Sequence, residues 1–86
     1  MPCVIVYEKK VVRNDIPRIP PDIKPKIIRA IEERLVANPL GAGEPLYGQF
    51  AGLRRFRFSE WRIVYEVDAG KLIIYSIKNR KNVYRG

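Results

Sequence analysis

The stretch Leu53 to Val67, LRRFRFSEWRIVYEV, alternates cationic and apolar residues on either side of a break at Ser59-Glu60. Side chains along a strand point to opposite faces with a period of two. Arg55, Arg57 and Arg62 therefore share one face of a hairpin, and Phe56 and Phe58 share the other. A two-residue turn pairs Phe58 with Trp61, Arg57 with Arg62 and Phe56 with Ile63. Trp61, Ile63, Tyr65 and Val67 then extend the apolar face. Like charges directly across a strand pair are destabilising. A fold that keeps three guanidinium groups side by side is expected to offer the space between them to an anion.

The rest of the chain supplies what such a hairpin needs to bury its apolar face. Residues 3–7, CVIVY, read as a short strand rich in β-branched residues. From Glu8 to Ile16 a weaker helical pattern appears, with Val12, Ile16 and Ile19 at spacings i, i+4 and i+7. Pro17, Pro20 and Pro21 are expected to end it. A second helix is better marked, with Asp22 as N-cap and Pro25 confined to its first turn. Ile23, Ile27, Ile31 and Leu35 form its apolar stripe, and Asn38-Pro39 stops it. Residues 40–52, LGAGEPLYGQFAG, read as a glycine-rich loop. After the hairpin, Asp68-Ala69-Gly70 turns the chain into a last strand, Lys71 to Lys78, with apolar residues on both faces. That leaves its register open, with a bulge at Gly70 as one solution.

The expectation is an α+β fold: an N-terminal strand, two helices, then a three-strand antiparallel meander, with the helices packed on one sheet face. At 86 residues the chain makes one domain, 1–86. Its single cysteine, Cys3, forms no internal disulfide, which fits a reducing cytoplasm. No segment is long and apolar enough to span a membrane, and the N-terminus has no pattern of a secretion signal.

The formal charge of +8 is concentrated in one part of the chain. Residues 1–52 carry 8 Lys/Arg and 6 Asp/Glu, whereas residues 53–86 carry 9 and 3, so the net rises from +2 to +6. An anionic partner is expected to meet the C-terminal part. With no histidine and one cysteine, Ser-His triads and most metal sites are excluded, and no metal or cofactor is expected. The sequence GAGEP lacks the Gly-Lys-Ser/Thr ending of a phosphate loop.

Cationic chemistry remains. Arg55, Arg57 and Arg62 are joined by Lys78, Arg80 and Lys81, with Tyr75 and Tyr84 near the last strand. Arginine offers a phosphate two parallel hydrogen bonds and holds its charge at any working pH. An exposed tyrosine offers an unpaired base a stacking surface. Cations beside an aromatic suit single-stranded RNA.

The run from Pro45 to Gly86 also resembles the RelE/ParE superfamily of prokaryotic toxins. The resemblance rests on Leu46 with Gly48, Gly52-Leu53 leading into Arg55 and Arg57, Trp61-Arg62 with Tyr65, and Arg80-Lys81 with Tyr84. RelE-like members of that superfamily cut mRNA in the ribosomal A site, using the substrate's own 2′-hydroxyl as nucleophile. ParE-like members instead inhibit DNA gyrase and lack the nuclease residues. By this resemblance Arg55 and Arg57 form the basic pair near the scissile phosphate; the charge pattern alone adds Lys78 and Lys81 as further phosphate-binding candidates. Arg62 stabilises the phosphate, Arg80 assists the leaving group, and Tyr84 orients and stacks the base. Filling these positions favours a cytoplasmic RelE-like endoribonuclease. A ParE-like gyrase inhibitor and an inactive nucleic-acid-binding relative are the alternatives. One departure is the Arg-Arg pair, which stands where some active members have lysine. Arginine does not readily give up a proton, so the general base would be Tyr84, water or a ribosomal group. The implied partners are a cognate acidic antitoxin, the ribosome with its mRNA and, only as the toxin–antitoxin complex, operator DNA. No membrane partner is implied.

Overall fold

The structure, a computed structural model, describes residues 4–83, with side chains described as far as Lys81. Cys3 therefore lies outside the described residues. Five strands form one mixed sheet: β1 (Val4–Tyr7), β2 (Glu44–Pro45), β3 (Arg54–Phe58), β4 (Trp61–Asp68) and β5 (Lys71–Asn79). Their spatial order is β1-β5-β4-β3-β2. The meander β3–β4–β5 is antiparallel, while β1 joins β5 in parallel, with Ile5 opposite Leu72 and Tyr7 opposite Ile74. Two residues of the expected loop, Glu44 and Pro45, pair instead with Arg55 and Arg54 as a short edge strand.

The hairpin has the expected register, with Phe58 opposite Trp61, Arg57 opposite Arg62 and Phe56 opposite Ile63. The last strand resolves its two-faced pattern by an irregularity. Val64 pairs with Ser76 and Tyr65 with Ile74, so Tyr75 is the extra residue. One inserted residue shifts the alternation by one. Leu72, Ile74 and Ile77 can then all face the core, where all three are buried. The disruption sits at Tyr75 and not at Gly70, because Asp68 and Lys71 already pair across a tight two-residue turn. Ala69 and Gly70 both take positive φ there, +50° and +77°.

The helices cover one face of the sheet. Helix α1 (Lys24–Ala30) runs on through Ile31–Leu35, burying Ile27, Ala30, Ile31 and Leu35 against Phe56, Ile63, Tyr65 and Ile74. The expected stripe is thus in place. Its start differs from expectation. Ile23 occupies the cap position and Asp22 makes no cap, because the carbonyl of Pro20 already accepts the N–H groups of Ile23 and Lys24.

The first helical segment is less regular. A wide π-type turn, Val11–Asp15, tightens into a 3-10 turn, Ile16–Arg18, that includes Pro17. Its buried positions are Val11, Asp15 and Ile19, and Val12 is exposed. Of the expected Val12-Ile16-Ile19 face, Ile19 is buried and Ile16 packs against the core, while Val11 takes the place expected of Val12. A segment wound partly wider and partly tighter than an α-helix does not keep the 3.6-residue phase.

Candidate nucleic-acid interface

The face of the sheet away from the helices carries the cations. Arg57, Arg62 and Lys78 are directly opposite one another on β3, β4 and β5, which makes a cationic row across three strands. Arg55 lies two residues along from Arg57 on the same face. At the turn end of the hairpin, Arg57, Arg62 and Arg80 line a shallow cleft with Ser59, Glu60 and Trp61. Arg80 opens a short terminal helix, α2 (Arg80–Val83), straight after β5. Its N–H donates to the Glu60 carbonyl at 2.7 Å, which ties the strand end to the β3–β4 turn. The Asn79 side chain accepts the Lys81 N–H at 2.8 Å and so caps this last turn.

The cations differ in what holds them. Arg55 donates to Glu44 at 2.9 Å across the β2–β3 pair. Lys78 lies 2.8 Å from a carboxylate oxygen of Asp15, which is almost wholly buried on the first helical segment. Lys81 approaches Glu60 at 3.7 Å, a loose and exposed pair. Among the described residues, Arg57, Arg62 and Arg80 have no carboxylate within ion-pair distance. The structure therefore brings Arg57, Arg62 and Arg80 together in a cleft and puts Arg55 beside it. Lys78 lies at the far side of the row, already engaged, and Lys81 sits outside the cleft. Tyr84 lies outside the described residues.

Arg54, next to this face in sequence, points to the other side. Its guanidinium donates to the carbonyls of Leu40 and Gly43, the second at 3.1 Å, and so closes the glycine-rich loop. Tyr65 donates to the Pro39 carbonyl at 2.7 Å and holds the same loop. Burial pushes the Tyr65 hydroxyl above its ordinary range, although Arg54 nearby works against the shift. Gly43 is needed here because a Cβ would run into the Tyr65 hydroxyl and lie 2.7 Å from the Arg55 carbonyl. The loop thus delivers Glu44 to Arg55. The spacing of the hairpin gave no hint of Glu44, since that pair depends on a two-residue strand with no periodic signal.

Tyr75 belongs to the open face. Its hydroxyl donates to Glu66 at 2.6 Å, and that bond, ahead of desolvation, pushes its pKa up to about 12. It borders a second groove with Leu46, Phe50, Leu53 and Val64, adjoining Arg55 and Arg62. Among the described residues no three His, Cys, Asp or Glu side chains group as metal ligands. Among the same residues no helix is long and apolar enough to cross a membrane.

Residues 5–84 match the family described as "ParE toxin of type II toxin-antitoxin system, parDE". Toxin RelE of Mycobacterium tuberculosis (strain ATCC 25618 / H37Rv) is 32% identical over 74 residues, covering 84% of this chain and 76% of that protein. Toxin RelG of the same organism is 28% identical over 75 residues, covering 85% and 86%. The fold is similar to that in the crystal structure of the toxin-antitoxin complex RelBE2 from M. tuberculosis, with a TM-score of 0.87, 24% identity and 93% of each chain covered.

Proposed function

We propose that this chain, which belongs to the ParE toxin family of type II toxin–antitoxin systems, is an endoribonuclease toxin that cuts mRNA on the ribosome in the cytoplasm. The observation that carries this reading is the cleft that Arg57, Arg62 and Arg80 line with Glu60, where none of the three guanidinium groups lies within ion-pair distance of a carboxylate among the described residues. Three cations beside a single acid with which none of them pairs leave the cleft net positive, so the arrangement suits a site whose ligand brings the negative charge.

The reaction is the one that the resemblance to RelE-like toxins implies. The 2′-hydroxyl of the substrate attacks the adjacent phosphorus, the bond to the 5′ oxygen breaks, and a 2′,3′-cyclic phosphate and a free 5′-hydroxyl result. Negative charge gathers on the non-bridging oxygens, where Arg57 and Arg62 stabilise it. Arg80 faces the leaving oxygen. Each such donor is worth roughly 3–4 kcal/mol of barrier. The 2′-hydroxyl proton needs an acceptor that arginine does not supply. Glu44 is the acceptor we assign, because it lines one depression with Arg55 and Arg57, and its carboxylate has a second oxygen besides the one that accepts from Arg55. Tyr84 is the residue proposed to stack the base, with Arg55, Lys78 and Lys81 engaging flanking phosphates.

An antitoxin partner belongs to the same reading, since the fold neighbour RelBE2 is a toxin–antitoxin complex. An acidic segment covering the cationic face would silence the site, and operator DNA would be bound by that complex. The family match itself favours a second reading, a ParE-like inhibitor of DNA gyrase. Induced expression separates the two. The nuclease reading expects translation to stop, with message ends mapping inside translated codons. Gyrase trapping with intact messages would establish the second reading and end the first.

A further inference from the structure

Strand β1 ends at Tyr7, opposite Ile74, yet β5 continues to Asn79. Beyond that point the edge of β5 has lost its strand neighbour, and its backbone donors need other partners. Asp15 fills the gap. One carboxylate oxygen accepts the Ile77 N–H at 2.8 Å, and the other accepts from the Lys78 ammonium at the same distance. The Asp15 side chain is only 2% exposed, and Asp15 is the one charged residue buried among the described residues. Burying a carboxylate is costly unless it is fully engaged, and both oxygens are spent on the end of one strand.

That strand end leads straight into the cleft. Arg80 begins three residues after Ile77, and its own N–H is held from the opposite side by the Glu60 carbonyl. Tyr75, the inserted residue, interrupts the regular β4–β5 pairing just upstream. The segment carrying Arg80 therefore depends on two clamps beyond its pairing with β4: Asp15 from the helical side and Glu60 from the turn side.

We propose that Asp15 is a positioning residue for Arg80, splinting the end of β5 so that the guanidinium stays aligned in the cleft. The inference rests on the nuclease reading for its catalytic consequence, but the splint itself is a property of the free chain. A misplacement of about 1 Å can cost a reaction roughly 100-fold, so a loosened Arg80 should depress turnover while leaving substrate capture by the other cations.

The test compares wild type, Asp15→Ala and Asp15→Asn by amide hydrogen exchange and by ribosome-dependent cleavage. Asparagine keeps an oxygen for the Ile77 N–H and alanine does not. Asp15→Ala is expected to speed exchange at Ile77 and Arg80 at least about tenfold more than at the core amide of Ile63. Its kcat should fall about tenfold or more with KM within about twofold, and Asp15→Asn should return kcat to within about threefold of wild type. Exchange rising equally at Arg80 and Ile63 would overturn the proposal, as would unchanged kcat in a loosened variant. Should Asp15→Ala fail to fold, the wild-type chain still decides. Ile77 and Arg80 must then exchange as one unit with a shared denaturant dependence, and separate behaviour overturns the splint. Absence of cleavage by wild type refutes the nuclease reading and leaves the exchange result to judge the splint alone.

Discussion

The two ends of the β3–β4 hairpin both gather arginine and hold it differently. At the end near the glycine-rich loop, each guanidinium has an acceptor on the neighbouring loop or edge strand. Arg54 holds the Leu40 and Gly43 carbonyls, and Arg55 holds Glu44. At the turn end, Arg57, Arg62 and Arg80 line a common cleft, and no carboxylate lies within ion-pair distance of them among the described residues. The same residue type is thus tied to acceptors at one end and left without an ion-pair partner among the described residues at the other. Two arginines stand at the first end and three at the second, and the distinction lies in what the neighbouring loops deliver. The first end meets a loop with carbonyls pointing inward, and the second meets a turn and a strand end whose polar groups already bind each other.

The largest expected effects would break this contrast outright. Replacing Arg62 or Arg80 with alanine should slow cleavage about 10²–10³-fold while shifting unfolding free energy by no more than about 0.5 kcal/mol. Rate assays on programmed ribosomes and urea titration check the two halves. Glu44→Gln should slow the same reaction by roughly 10²-fold, the usual contribution of a positioned base. A rate unchanged in that variant would assign the proton to another acceptor.

At the structural end the signs reverse. Arg54→Ala should cost about 2–3 kcal/mol of stability, because charged hydrogen bonds to two loop carbonyls are lost. Gly43→Ala should cost about 1–3 kcal/mol through overpacking against Tyr65 and the Arg55 backbone. Denaturant midpoints measure both. If the cleft arginines cost as much stability as Arg54, the division into fold and ligand cations fails.

A finer discrimination comes from salt. Each phosphate contact on a single strand contributes about 0.7 to the slope of log affinity against log salt. Arg57→Gln should lower that slope by about 0.7 for bound RNA, and Lys81→Gln, with Glu60 nearby, by less. Fluorescence binding titrations at several salt concentrations measure the slopes. The smallest effect lies outside both regions. Ala69 is held at φ +50°, a left-handed conformation that costs a residue with a Cβ. Ala69→Gly should therefore raise stability, by up to about 1 kcal/mol, in a thermal melt and leave cleavage unchanged.

Where side-chain period alone decides structure, the sequence was readable. The hairpin register, the Ile27-Ile31-Leu35 stripe and the helices on one sheet face all follow from alternation and 3.6-residue spacing. Three features were not readable because long-range partners set them. The buried face of the first helical segment follows Asp15 to Ile77, a contact 62 residues away, and displaces the Val12 pattern. The bulge at Tyr75 is demanded by the core needing Leu72, Ile74 and Ile77 together. The edge strand Glu44–Pro45 has no periodicity, so its carboxylate on Arg55 was invisible. Within the candidate site, the meeting of Arg57 with Arg62 was legible. The capture of Lys78 by a buried aspartate was not.

The most direct test of the open cleft is analysis of message ends after single-turnover reaction on programmed ribosomes with the purified chain. Fragments ending in 2′,3′-cyclic phosphate, opposite new 5′-hydroxyl ends, are expected, and they should nearly disappear with an Arg62→Ala/Arg80→Ala double variant. Intact messages with the wild-type chain, or the same fragments at the same rate with the double variant, would contradict the nuclease reading.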